Sequence, residues 1–427
     1  MKAALKLLTY LSAVSGMLLF IRPRDSAVNT LLWMPKMLSG ALSPILGIVG
    51  GLGALLGLSK KDWKLASVGV LGAGLALRFI GDIPNASDQF AAEFGPDWQE
   101  RLPGSLQPAA PQNYRYRPAS APGFQQDLVI GEKTNSGHPL LADLWQPQSG
   151  NPRSGLGVIY AHGSGWRVGD KDMLTRPFFR RLAGQGHVVL NIAYSLWPEA
   201  DIQTMVSEVN QAILWLKKNS ARYQLNPERI VLMGGSAGAH LSLLAAYAPD
   251  QPEFQPAQAS GDTSVRGVIA FYPPVDLHGM FSQSRRGTQD HPRPVDKVAN
   301  AMINRIFELH SEPHSRMDNG GTEFENYLVK MLSGTPHKIP EVYDLLSPIK
   351  HISSDCPPTL LIQGSDDVFD LAPPVRRFHQ VLQEAGVPVI FVEYPHTEHG
   401  FDLVLPQISP VAQAAAMEVE RFLALMV

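Results

Sequence analysis

The chain has 427 residues, of which 44% are apolar, with a formal net charge of −3 and a single cysteine. That length exceeds one ordinary core, so a catalytic-sized domain joined to a second part is expected. The lone Cys356 excludes an intrachain disulfide and a multi-cysteine metal centre, and the small net charge gives no reason to expect nucleic-acid binding.

The charge is unevenly distributed. Residues 1–80 carry nine Lys/Arg against two Asp/Glu, and they are also the most apolar part of the chain. Positions 3–21 are apolar apart from Lys6 and a few hydroxyls, 37–59 hold no charge over 23 positions, and 65–77 are uncharged again. About 20 apolar residues cross a bilayer, so residues 1–85 are expected to form two or three membrane helices, near 3–21, 38–58 and 65–80. Two other readings compete. Lys2 and Lys6 ahead of an apolar run would suit a signal peptide, and N-terminal helices could instead cap a soluble active site. A cap would alternate apolar with charged positions, which 37–59 does not do. Gly50, Gly53 and Gly57 recur at helical spacing, where small residues let membrane helices approach closely.

Residues 86–125 change character. Pro103, Pro108, Pro111, Pro118 and Pro122 interrupt any regular element, which suggests a tether.

From 126 to 427 strand-like and helix-like segments alternate, as an α/β domain with a mostly parallel sheet requires. Residues 155–160 read as a strand running into His162-Gly163-Ser164-Gly165, a loop able to offer backbone amides to an oxyanion. Residues 187–193 read as the next strand. Ile202, Val206, Val209, Ile213 and Leu216 then make one helical stripe, with Glu208, Asn210 and Lys217 off it. Residues 229–233 are a short apolar strand, followed by Gly234-Gly235-Ser236-Ala237-Gly238 and a helix-like run from Ala239. A serine at such a strand–turn–helix bend is held on a strained turn with its hydroxyl exposed and the helix amides aimed at the reacting carbonyl. Residues 265–272 form a further strand. The polar stretch 276–330 is longer than a strand-to-helix link needs and is a candidate lid. Two more strands end in Gly364-Ser365-Asp366-Asp367 and in Pro395-His396-Thr397-Glu398-His399-Gly400. The final helix is expected to bury Val411, Ala415, Val419, Phe422 and Met426. A nucleophile, an acid and a histidine thus follow strands in the order Ser…Asp…His.

As a set, these motifs resemble the α/β-hydrolase superfamily, in its hormonesensitive-lipase-like and feruloyl-esterase-like branch. The resemblance covers about 126–427. The family's His-Gly-Gly-Gly loop appears as His162-Gly163-Ser164-Gly165, its Tyr-x-Leu-x-Pro-Glu as Tyr194 to Glu199, and its Ser-Pro as Ser347-Pro348. The serine at 164 keeps a backbone donor, provided the loop needs no positive φ there.

The resemblance implies an α/β-hydrolase fold and a serine carboxylesterase working through an acyl-enzyme, with no cofactor and no metal. It implies Ser236 as nucleophile. His399, which precedes Gly-Phe, is preferred to His396 as base, and Asp367, at the third position after Gly364, to Asp366 and Asp370 as acid. The oxyanion donors would be the amides of Ala237 and of Gly163 or Ser164, with Gly165 as a further candidate. His162 is read as a buttress of that loop, Tyr194, Pro198, Glu199 and Asp276 as scaffold. The substrate would be a small-molecule, amphiphilic or acyl ester. An amidase, formamidase or peptidase could use the same triad, and a silent, membrane-tethered binding module is the alternative outside enzymes. For three spans, the count of Lys2, Lys6, Lys60, Lys61 and Lys64 against Arg22, Arg24 and Lys36 favours a cytoplasmic N-terminus, which puts the catalytic domain outside the cytoplasm.

Overall fold

A computed structural model describes the chain apart from Met1, Arg24, 103–121, 172–173, 257–259 and most of 287–323. The N-terminal part forms four helices: α1 (Lys2–Leu19), α2 (Ser26–Ala41), α3 (Ser43–Ser59) and α4 (Trp63–Gly81). The expected span at 38–58 is therefore broken. Its first residues belong to α2, and the chain bends by 73° at Leu42 before α3 begins with Pro44 in its first turn. Asp25 caps α2 by accepting from the amides of Ala27 and Val28.

Helices α1, α3 and α4 pack side by side through small residues. A Cβ on Gly50 would stand 2.6 Å from the Ala73 amide, and one on Gly57 or Gly69 would collide with the facing backbone. Their outer faces leave Leu7, Ile48, Leu55, Val70 and Leu77 more than 60% exposed. By length and composition, α4 can cross a membrane, and the bent α2–α3 pair is a second candidate if counted as one broken span.

The stretch expected as a tether is partly folded. Helix α5 (Ser87–Phe94) and a short turn at Trp98–Arg101 lie against the body, with Phe90 and Trp98 buried and Gln89 exchanging hydrogen bonds with the Phe391 backbone at 2.8 Å. The proline-rich remainder, 103–121, lies outside the described residues, as does most of the candidate lid.

The body is an eight-stranded sheet among the described residues: β1 (Gly123–Glu132), β2 (Pro139–Gln146), β3 (Gly157–Ala161), β4 (Val188–Ile192), β5 (Ile230–Gly235), β6 (Gly267–Phe271), β7 (Thr359–Gly364) and β8 (Val389–Tyr394). Their order is β1-β2-β4-β3-β5-β6-β7-β8, parallel from β4 to β8 and antiparallel where β2 meets its two neighbours. Strands β3 to β7 are buried throughout, as central strands covered on both faces must be. Helices α6 (Arg176–Gly184), α7 (Ile202–Lys218), α8 (Ser220–Tyr223), α9 (Ala237–Tyr247) and α10 (Leu277–Arg286), with the helices Phe324–Leu332, Ala372–Glu384 and Pro410–Met426, cover the sheet.

The stripe on α7 and that on the C-terminal helix are buried as expected. Glu208 and Asn210 are buried too, and Glu208 accepts from the amide and hydroxyl of Ser195. One of the two cores joins sheet residues Val231 and Ile269 and the C-terminal Phe422 to Leu19, Phe79, Ile83 and Phe90. The N-terminal helices are thus packed into the body.

Candidate active site

The chain runs from β3 to β4 on one side and then to β5 on the other, so the sheet changes direction between β3 and β5. Crevices at such points, outside the carboxyl ends of parallel strands, are where α/β sheets hold ligands. The end of β3 leads into His162–Gly165, β5 into Ser236, β7 into Asp367 and β8 into His399.

Ser236 sits between β5 and α9 at φ 52°, ψ −120°, a region that L-residues rarely occupy, and its amide donates to the Phe271 carbonyl at 2.9 Å. The bend is possible because nothing larger than hydrogen fits beside it. A Cβ on Gly238 would collide with the Ala161 carbonyl, and one on Gly234 with the Gly238 backbone. Ala237 is the first residue of α9 and fully buried, so its amide belongs to the free N-terminal set of that helix.

His399 Nδ1 lies 2.8 Å from Asp367 Oδ2. Asp367 is buried and also accepts from Gln363 Nε2 at 2.9 Å and the Phe369 amide at 2.8 Å. Donation from Nδ1 to the carboxylate leaves the imidazole Nε2 as an acceptor. The rings of Tyr272, at 4.3 Å, and Phe369, at 4.8 Å, hold the imidazole between them. The other candidates point elsewhere. His396 meets the Phe20 ring at a tilt, 4.5 Å between centroids, and faces Asp82 at 3.7 Å, Asp366 pairs with Lys36 at 3.0 Å, and Asp370 meets Arg22 at the surface.

Gly163 lies against the bend, where a Cβ would be 2.9 Å from the Gly235 carbonyl and 3.4 Å from Ser236 Cβ. Ser164 has φ 91° and Gly165 φ 66°. The loop does require a positive φ at 164, so the serine there holds a conformation that glycine adopts freely. Its hydroxyl contacts the carbonyls of Gly163 and Val168. His162 is buried, stacks on Tyr194 at 4.4 Å and meets the Gly163 carbonyl through Nδ1, while Tyr194 donates to the His162 carbonyl at 2.8 Å. Burial lowers its pKa to about 4, which keeps the ring neutral near pH 7. Asp276 accepts from the Gly279 amide at the start of α10.

Gly163, Ser164, Gly165, Ser236 and His399 share one cavity of about 220 Å³. Its other walls are apolar, and three of them, Trp33, Met34 and Met37, come from α2. These were not read as site residues from the sequence. The signal available was Lys36, a lone charge beside Trp33 at the head of a long uncharged run, which reads equally well as a membrane-border cation. Tyr272 was also missed. It donates to the half-buried Asp402 at 2.6 Å, and its own burial, with that carboxylate beside it, raises the phenol pKa well above normal. Among the described residues no group of His, Cys, Asp and Glu could hold a metal ion.

The BD-FAE family matches residues 142–371, more than half of the chain. LipM of Mycobacterium tuberculosis, a probable carboxylic ester hydrolase by its own name, is 28% identical over 300 residues, 70% of this chain and 60% of LipM. The esterase LipQ of the same organism is 26% identical over 350 residues, covering 79% of this chain and 73% of LipQ. The chain thus spans about three fifths of LipM and nearly three quarters of LipQ. Esterase 2 of Thermogutta terrifontis, solved with propionate, superposes on 72% of this chain and 94% of its own, with a TM-score of 0.52 at 20% identity. That likeness is one of fold, and it agrees with the strand order above. On the family match and the fold together, the chain belongs to the BD-FAE family of α/β hydrolases.

Proposed function

We propose that the protein is a membrane-anchored serine carboxylesterase that cleaves acyl esters through an acyl-enzyme. The observation that carries this is the His399–Asp367 hydrogen bond in the same apolar cavity as a serine on a strained strand-to-helix bend. A serine hydroxyl at its ordinary pKa needs an adjacent base. His399 takes the Ser236 proton and later gives it to the leaving alkoxide, while Asp367 orients the ring and stabilises the imidazolium. The amides of Ala237 and Gly163, with Ser164 and Gly165 beside them, receive the oxyanion. The substrate class follows from the walls: Trp33, Met34, Met37 and Met280 offer apolar surface and no charge, which suits an acyl chain.

A fluorophosphonate probe should label Ser236, and Ser236→Ala should abolish labelling and reduce turnover to the residual rate that an oxyanion hole alone supports. An ester series from acetyl to palmitoyl, run beside matched amides, fixes the leaving group and chain length. Met37→Ala should move the preferred acyl chain to a longer one. Unchanged turnover in the Ser236→Ala protein would overturn the assignment in favour of a binding module, and faster cleavage of the amides would make the protein an amidase.

The exposed apolar faces of α1, α3 and α4 support a membrane anchor. At 17–19 residues these helices are about 25–29 Å long, close to the thickness of a hydrocarbon core. Lys6 pairs with Asp62 at 2.8 Å, which gathers Lys60, Lys61 and Lys64 at the bundle end where α1 begins. The body adjoins the other end, through the contacts of His396 with Phe20 and Asp82. If the basic end is cytoplasmic, the catalytic body lies outside the cytoplasm. Lys36, buried in an ion pair, drops out of the charge count that the sequence suggested.

A further inference from the structure

Lys36 is 1% exposed. Its ammonium lies 3.0 Å from Asp366 Oδ2 and 2.6 Å from Glu398 Oε1, and each carboxylate is the chain neighbour of a triad candidate, Asp367 or His399. One helical turn earlier on the same face, Trp33 donates Nε1 to the His399 carbonyl at 2.9 Å. Its ring meets Phe369 edge-on, and Phe369 in turn faces the imidazole. The two loops also share a backbone bond, Asp366 N to the Thr397 carbonyl at 3.0 Å. The His396 amide also donates to Ser365 Oγ at 2.9 Å, and α2 adds its own links to both loops through Lys36 and Trp33.

A buried ion pair adds little net stability, because desolvating three charged groups offsets most of their attraction. What a shared ammonium adds is a fixed distance between two carboxylates, and through them between two loops.

We propose that Lys36 is a positioning residue of the catalytic site: inserted from α2 between Asp366 and Glu398, it keeps the acid loop and the histidine loop at the spacing that presents His399 to Ser236. The inference rests on the serine-esterase reading. A misplacement of about 1 Å in a reacting group can cost roughly 100-fold in rate, so loosening this clamp acts on kcat. KM, set by the apolar walls, changes little.

The test uses the full chain in detergent micelles, with active sites counted by fluorophosphonate labelling so that unfolded protein drops out. Lys36→Met should lower kcat per labelled site about 10- to 100-fold with KM within about threefold, and Lys36→Arg should recover at least part of the loss. A kcat per site within twofold of wild type, or a loss confined to KM, would overturn the proposal. Should Lys36→Met fail to fold because two carboxylates are left unpaired, the triple variant Lys36→Met/Asp366→Asn/Glu398→Gln removes the charges together, and the same thresholds apply to it. A wild-type protein that neither labels nor turns over esters would instead sink the esterase reading.

Discussion

His396 and His399 leave the same short loop in different directions. His396 turns toward Phe20 and Asp82, at the junction with the N-terminal bundle, while His399 turns toward Asp367 and the cavity. The adjacent aspartates divide the same way: Asp367 receives the imidazole and Asp366 the Lys36 ammonium. The triad reading therefore predicts unequal effects. His399→Ala should lower kcat by roughly 10⁴–10⁶, whereas His396→Ala should cost far less. Asp367→Asn should be worse than Asp366→Asn, because it alone presents the wrong partner to Nδ1, although Asp366→Asn also loosens the Lys36 clamp. Steady-state kinetics per labelled site would check both pairs, and a reversed order in either would move the triad to the other residue. The sequence order and the His-Gly-Phe motif picked out His399 against its neighbour, but not the reason His396 exists. That reason lies just past the ends of α1 and α4, at Phe20 and Asp82, more than 300 residues away in the chain. The positive φ at Ser164 was equally invisible, since a serine carries no sign that its backbone must enter a glycine-like region.

The central strands were legible as apolar runs with β-branched residues, and their ends located the loops correctly. Strands β1 and β2 were not. β1 is an edge strand that buries only Ile130, and β2 buries a charge, Asp143, within 3.8 Å of Lys171, so neither reads as an apolar run. Of the N-terminal helices, α1 and α4 lie close to the expected 3–21 and 65–80, and only the 38–58 segment differs. An uncharged run of 23 residues looks like one continuous span, but the chain breaks at Leu42, just ahead of Pro44 in the first turn of α3. The seam between α2 and the histidine loop has a pH signature. Burial raises the Glu398 pKa from an ordinary 4.5 to about 7, outweighing the opposing pull of Lys36, with Asp366 and Asp367 adding to the rise. A carboxyl that holds its proton more tightly when folded contributes stability that is complete below about pH 4.5 and is lost as pH rises through about 7. Thermal unfolding in micelles should therefore show Glu398→Gln gaining stability relative to wild type as pH rises from about 4.5 to about 7, the interval between those two pKa values. Parallel curves for the two proteins would exclude this role for Glu398.

At the scale of the molecule, the N-terminal helices and the sheet share one core, and the cavity has walls from both. The bundle end rich in lysine and the end that meets the body are opposite ends, so the proposed membrane anchor makes a testable statement about the side on which the catalytic body lies. A phosphatase fused at Val427 should be active outside the cytoplasm, and external protease should reach the body in intact cells or spheroplasts. Digestion only after lysis would reverse the orientation. The meeting of α2 with the histidine loop also bears on how the enzyme comes into being. Trp33 and His399 are 366 residues apart, an interval of roughly 20–70 s at ribosomal speeds of 5–20 residues per second. Throughout that time the nascent helix carries an ammonium without its two carboxylates and one wall of a cavity that has no floor. The helix that carries Trp33 thus waits for the loop that carries His399, and the cavity gains its histidine only once that loop has been made.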